Sequence, residues 1–202
     1  MSALTLPLEF PLEFDLSQVH LTDEQFYQLC ISNPEIPFER TAKGVLLIMP
    51  PVGGESGSRE MEFGADLTIW NRQTKLGKVF SSSTCFRLPG GGSRSPDAAW
   101  VELSRWQALS PEQRQKFPPI APDFVMELRS RTDNLKTLQE KMVEYMESGV
   151  RLGWLFDPQN QQVAIYRPGE EIEVRQLPTE LSGEDVLPGL TLQVDRFSDL
   201  GK

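Results

Sequence analysis

Histidine and cysteine are almost missing from this chain. His20 is the sole histidine, which leaves no basis for a Ser-His-Asp triad or a histidine-rich zinc site. The two cysteines, Cys30 and Cys85, stand far apart. They offer neither a disulfide framework nor a Cys-x-x-Cys metal spacing, and read as buried free thiols. No apolar run approaches the ~18 residues that a membrane span needs. The opening residues Met1 to Phe10 lack a basic segment, a long apolar stretch and a small-residue cleavage site, so a soluble, cytoplasmic protein is expected. Neither glycine cluster ends in Gly-Lys-Ser/Thr or forms Gly-x-Gly-x-x-Gly, which removes the common phosphate loops. Positive charge is also short, 20 Lys and Arg against 29 Asp and Glu, for a formal charge of −9. Such a chain does not coat nucleic acid by bulk electrostatics, because that affinity comes from neutralising phosphates. One strip departs from the average: Arg72, Lys75, Lys78, Arg87 and Arg94 fall between Asn71 and Arg94 with no acid among them. It is either a phosphate-facing strip or a solvated face.

What is present suits one α/β domain. With 202 residues, 39% of them hydrophobic, the chain can bury a single core. The expected boundaries are an extended arm over 1–20 and one domain over 21–202. The arm's prolines disfavour helix, and it suits packing on the body or on a partner, a homodimer included. Thr22-x-x-Gln25 has the form of a capping box and predicts a short helix. Segments 37–41 and 44–49 read as a β-hairpin, and 50–57 as a loop. From 58 to 75, Phe63, Leu67 and Trp70 recur at i, i+4 and i+7, an amphipathic helix on which Glu60 falls near the apolar face and Glu62 on the flank. Strands are expected over 78–83, 84–88 and 97–102, with a flexible glycine turn at 89–93 and helical fragments near Trp106 and 111–116. The near-continuous apolar run Phe124-Val125-Met126-Glu127-Leu128 reads as a buried central strand. Thr132 is expected to cap a helix carrying Leu135, Leu138, Met142 and Tyr145 and ending at Gly149. A strand over 150–157, a hairpin over 162–175 and an edge strand over 187–194 complete a mixed sheet with helices packed on it.

Glu127 demands an explanation, since a carboxylate in a buried strand is costly unless paired or bound to metal. Asp97 stands at the mouth of another strand. If those strands are neighbours, the two carboxylates meet and can hold a divalent cation, with water and substrate phosphate in the remaining positions. Such an ion polarises a phosphodiester and lowers the pKa of bound water. The plainer arrangement pairs Glu127 with Arg129 or Arg131 and leaves Asp97 as a turn cap after Pro96.

Three spaced blocks carry a resemblance: Ser95-Pro96-Asp97-Ala98-Ala99-Trp100-Val101, then Pro122-Asp123-Phe124-Val125-Met126-Glu127-Leu128-Arg129-Ser130, then Lys141-Met142-Val143-Glu144-Tyr145 through Gly149-Val150-Arg151-Leu152-Gly153-Trp154-Leu155. From about Pro50 to Leu190 the chain resembles the Uma family of putative restriction endonucleases, in the PD-(D/E)XK nuclease superfamily. The resemblance implies a restriction-endonuclease-like mixed sheet flanked by helices, with extra N- and C-terminal strands. It implies an Mg²⁺- or Mn²⁺-dependent endonuclease hydrolysing DNA, with Asp97 and Glu127 on the metal and a further helix carboxylate, Glu60 or its rival Glu62. The superfamily pattern expects a lysine two residues after the glutamate, where this chain has Arg129. An arginine cannot be deprotonated, and its planar fork does not replace a compact ammonium. The family resemblance moves the lysine to the helix as Lys141, with Arg129 and Gln139 as the other candidates. The spacing from Leu138 and Tyr145 puts Lys141 at the margin of the apolar face, from which a long stem can reach the site. Two readings compete with a DNA nuclease: an inactive binding or assembly module that retains the fold, and a small-molecule phosphodiesterase on the same site.

Overall fold

The computed structural model describes residues 11–195; the first ten residues of the expected arm lie outside them. Strand β1 (Leu12–Asp15) pairs along a later strand, Leu12 with Ile48 through Asp15 with Val45. The Thr22 capping box forms as its residues dictate, the Thr22 hydroxyl accepting from the Gln25 amide and the Gln25 side chain from the Thr22 amide, and starts α1 (Asp23–Ser32). The hairpin follows as β2 (Phe38–Arg40) and β3 (Val45–Ile48). Gly44 supplies the positive φ, +84°, that its turn requires.

Helix α2 (Gly54–Thr74) begins inside the segment expected to be a loop. Each helical glycine costs about 1 kcal/mol relative to alanine. The apolar face downstream, with Phe63, Leu67 and Trp70 buried, stabilises the helix enough to carry its first turn through them. Then come β4 (Gly77–Ser81), the short β5 (Phe86–Arg87) and β6 (Ser93–Arg94), β7 (Ala98–Glu102), α3 (Leu103–Ala108), α4 (Pro111–Gln115) and β8 (Phe124–Leu128). Helix α5 (Leu135–Glu147) is capped by Asn134, whose side chain accepts from the Lys136 amide. Thr132, the expected cap, sits two residues too early and meets the Ser130 hydroxyl at 3.3 Å instead. Strands β9 (Leu152–Asp157), β10 (Gln162–Tyr166) and β11 (Glu173–Gln176) follow. The C-terminal segment does not extend the main sheet: β12 (Thr179–Ser182) and β13 (Thr191–Val194) pair with each other as a separate hairpin.

The main sheet runs β11-β10-β9-β8-β7-β4, and only β8 and β9 are parallel, joined through α5. A second sheet, β1-β3-β2-β6-β5, stands beside it. Alternation along β8 sends Phe124, Met126 and Leu128 to one face, where they pack with Phe63 and Leu67 of α2, and Val125 to the other, against Leu138 and Met142 of α5. Every residue of β8 and β9 is buried, as a central parallel pair covered on both faces requires. Among the described residues no helix is long and apolar enough to cross a membrane. Cys30 is half-buried, Cys85 is buried and both are free. Burial pushes their thiols up, to about 11 and about 12, which keeps them protonated and inert.

Candidate active site

The β7/β8 ladder pairs Trp100 with Phe124, Ala99 with Val125 and Ala98 with Met126. One further step sets Asp97 across from Glu127, and residues directly opposite share a face. The Leu128 amide donates to Oδ2 of Asp97 at 2.7 Å and ties the aspartate to β8. Glu127, 3% exposed, points with Val125 toward α5. On that helix Leu138, Lys141, Met142 and Tyr145 lie in one stripe at i, i+3, i+4 and i+7. Lys141 is therefore an inward residue, 5% exposed. Its Nζ stands 2.9 Å from Oε1 of Glu127, and the Tyr145 hydroxyl donates to the same oxygen at 2.9 Å.

A residue that sequence reasoning passed over completes this cluster. Glu39 of β2 is 2% exposed. Its Oε1 accepts from Lys141 Nζ at 3.0 Å and from the Ser95 amide at 3.0 Å, and its Oε2 from Arg94 at 3.0 Å. Arg94 also holds Glu144 of α5 at 2.7 Å. This chain of charges joins the second sheet to the main one. The glycine turn before β6 serves it directly, because a Cβ at Gly92 would collide with the Glu144 carboxylate. No local sequence signal marks Glu39, because its partners Arg94 and Lys141 lie 55 and 102 positions away.

The remaining candidates separate. Glu60 is half-buried and lines the same cavity as Asp97, Glu127 and Lys141, whereas Glu62 is exposed. Arg129 turns away from Glu127 and pairs with Asp157 at 3.0 Å; Arg131 and Gln139 are exposed. The basic strip does not assemble beside the acids. Arg94 is buried in the charge chain, and Arg87 pairs with Asp23 at 3.3 Å. Arg72, Lys75 and Lys78 are exposed, and Lys78 pairs with Val101, toward the far end of β7 from Asp97.

The cavity holds about 540 Å³. Glu60, Asp97, Glu127 and Lys141 line it together with Glu35, Glu39 and Asp133, and Ile36 and Val52 contribute apolar surface. Burial pushes Asp97 up to about 7, with Glu60 adding to the rise and Lys141 opposing it. Glu127 is pushed up to about 8 by burial against the pull of Lys141, with Asp97 raising it further. Glu60 is raised too, by burial and then by Glu127 and Asp133. Lys141 is raised as well, which in its case keeps the charge: burial opposes the ammonium, but Glu127 and Glu39 hold it above the ordinary lysine range. The acids thus crowd one another with a single ammonium to balance them.

Among the described residues no three Asp, Glu, His or Cys side chains gather as a ready metal cluster. The donor chemistry nevertheless fits a hard divalent cation. Magnesium is commonly bound by one or two carboxylates, with water and substrate phosphate completing its shell. Asp97 and Glu127 are such a pair, and their mutual repulsion is what a divalent charge relieves.

A mixed sheet with a parallel β8-α5-β9 crossover, α2 on one face and α5 on the other, defines the restriction-endonuclease-like class. The chain is similar to the crystal structure of a putative nuclease belonging to DUF820 from Anabaena variabilis, with a TM-score of 0.74 at 20% identity, covering 89% of this chain and 98% of that one. At that identity the likeness establishes the fold. Residues 23–195 match the Uma2 family, described as "Putative restriction endonuclease", and the chain belongs to that family. No curated protein matches it.

Proposed function

We propose that this chain is a divalent-metal-dependent endonuclease acting on DNA in the cytoplasm, with Asp97 and Glu127 as metal ligands, Glu60 as the accessory helix carboxylate and Lys141 as the catalytic cation. The observation that carries this reading is the meeting of those four side chains in one cavity, with the Lys141 ammonium 2.9 Å from Glu127. The chemistry that Mg²⁺ or Mn²⁺ would supply there is polarisation of the phosphodiester and activation of a bound water. Asp97 and Glu127 would hold that ion. Tyr145 fixes the Glu127 carboxylate through Oε1. Lys141 would stabilise the negative charge that builds on the phosphoryl oxygens. Arg129 takes no part, because its guanidinium is held on Asp157.

The test is calorimetric titration of Mn²⁺ into wild-type protein and Asp97→Ala. Binding by the wild type and its loss in the variant are expected. Equal isotherms would favour the inactive assembly module instead.

A further inference from the structure

Lys141 has three N–H donors and no more. Three acceptors meet them: Glu127 Oε1 at 2.9 Å, Glu39 Oε1 at 3.0 Å and the Ser95 carbonyl at 3.3 Å. The ammonium therefore bridges two carboxylates from different sheets, and the two are not equivalent. Glu127 belongs to the proposed metal pair. Glu39 lines the same cavity, but its Oε2 is held by Arg94 and its Oε1 accepts from the Ser95 amide as well as from Lys141, so both of its oxygens are already engaged by donors. A divalent cation that draws on Glu127 competes with Lys141 for that carboxylate. An ammonium this deeply buried cannot be left without a counter-charge. Asp97, the next acid to act on the ammonium, is the other half of the proposed metal pair, which leaves Glu39 as the partner within reach.

We propose that Glu39 is a positioning residue: it keeps the Lys141 ammonium paired while Glu127 turns its charge to the divalent cation, so that the lysine stays beside the scissile phosphate and does not compete with the metal. This rests on the nuclease reading above. It assigns the second sheet a part in the site, since β2 supplies the anchoring carboxylate across its junction with α5. Without Glu39, Lys141 would fall back on Glu127 alone and oppose metal binding.

The test uses the full chain and Mn²⁺ alone, with no nucleic acid, in a double-mutant cycle read by calorimetry. Glu39→Gln should weaken Mn²⁺ binding about tenfold or more, because a buried counter-charge is lost at contact distance. Lys141→Met should bind as the wild type does or more tightly. The double variant should recover the affinity of Lys141→Met, since no ammonium remains to be held. A weakening by Glu39→Gln that persists in the Lys141→Met background would mean that Glu39 acts only through Arg94 and Ser95, and would overturn the proposal. Unchanged binding by Glu39→Gln would overturn it as well. Should Glu39→Gln not fold, Glu39→Asp replaces it, with the carboxylate drawn back from Nζ: weakening relieved by Lys141→Met supports the proposal, and any other pattern overturns it. Asp97→Ala in parallel separates the two ideas. If it binds Mn²⁺ normally, the metal site itself is wrong. If it does not, while the cycle is additive, only the role of Glu39 falls.

Discussion

Asp97 and Glu127 are held in a state that disfavours their own charge. Their carboxyls are pushed up to about 7 and about 8, well above the values of the unfolded chain. Between about pH 4 and pH 8 the native state therefore holds protons that the unfolded chain has released. The contribution of these groups to stability falls as pH rises through that window. Asp97→Asn removes a strained charge at high pH and removes little at low pH. Its melting temperature should exceed the wild type's by roughly 3 °C at pH 8, and the difference should vanish below about pH 4. Thermal melts at the two pH values check this; a shift of equal size at both would show that packing, not charge, is responsible. Lys141 belongs to the same balance but has a different assigned role. Lys141→Ala should reduce turnover far more than it reduces Mn²⁺ affinity, and Lys141→Arg should restore little, because a planar fork does not fit a point surrounded by three acceptors. Single-turnover rates beside binding isotherms make that comparison, and a Lys141→Arg variant at the wild-type rate would end the assignment.

At the scale of elements, Arg129 shows how a strand end can look catalytic and be structural. It follows β8 at the place where the superfamily keeps its lysine, yet it anchors Asp157 at the end of β9. Among the described residues, Arg129→Ala leaves the 2%-exposed Asp157 with the Asn160 amide as its remaining side-chain donor. It should cost about 2 kcal/mol of stability without changing Mn²⁺ affinity; chemical denaturation and calorimetry on the same sample read both. Much of α5 and β8 was legible in the sequence because each carries its own period. The i, i+3, i+4 stripe fixes which way Lys141 points, and the alternation in β8 fixes the face of Glu127. Local signals misled where tertiary packing overrides them, as in the glycine-rich first turn of α2, or where two neighbouring residues can both cap, as Thr132 and Asn134. Glu39 was hidden for another reason. Its strand spans three residues, and its partners Arg94 and Lys141 lie 55 and 102 positions away, so no window of sequence contains the interaction.

Across the whole molecule, charge counted along the chain does not predict charge gathered in space. The five cations between Asn71 and Arg94 disperse on folding: Arg94 goes inward, Arg87 goes to Asp23, and the other three lie toward the far end of α2 and β4. Glu60 and Arg72 are separated along α2 by twelve positions, roughly 18 Å. Neutralising Arg72, Lys75 and Lys78 together should leave the salt dependence of DNA binding unchanged; a flatter slope would show that substrate reaches across the molecule to that end. The most direct measurement is cleavage of supercoiled plasmid by the wild type and by Asp97→Ala, each with Mn²⁺ and with the ion chelated. Nicking or linearisation by the wild type with Mn²⁺, and by neither protein otherwise, is the predicted result. Intact plasmid in every lane, or equal cleavage by Asp97→Ala, would contradict the account.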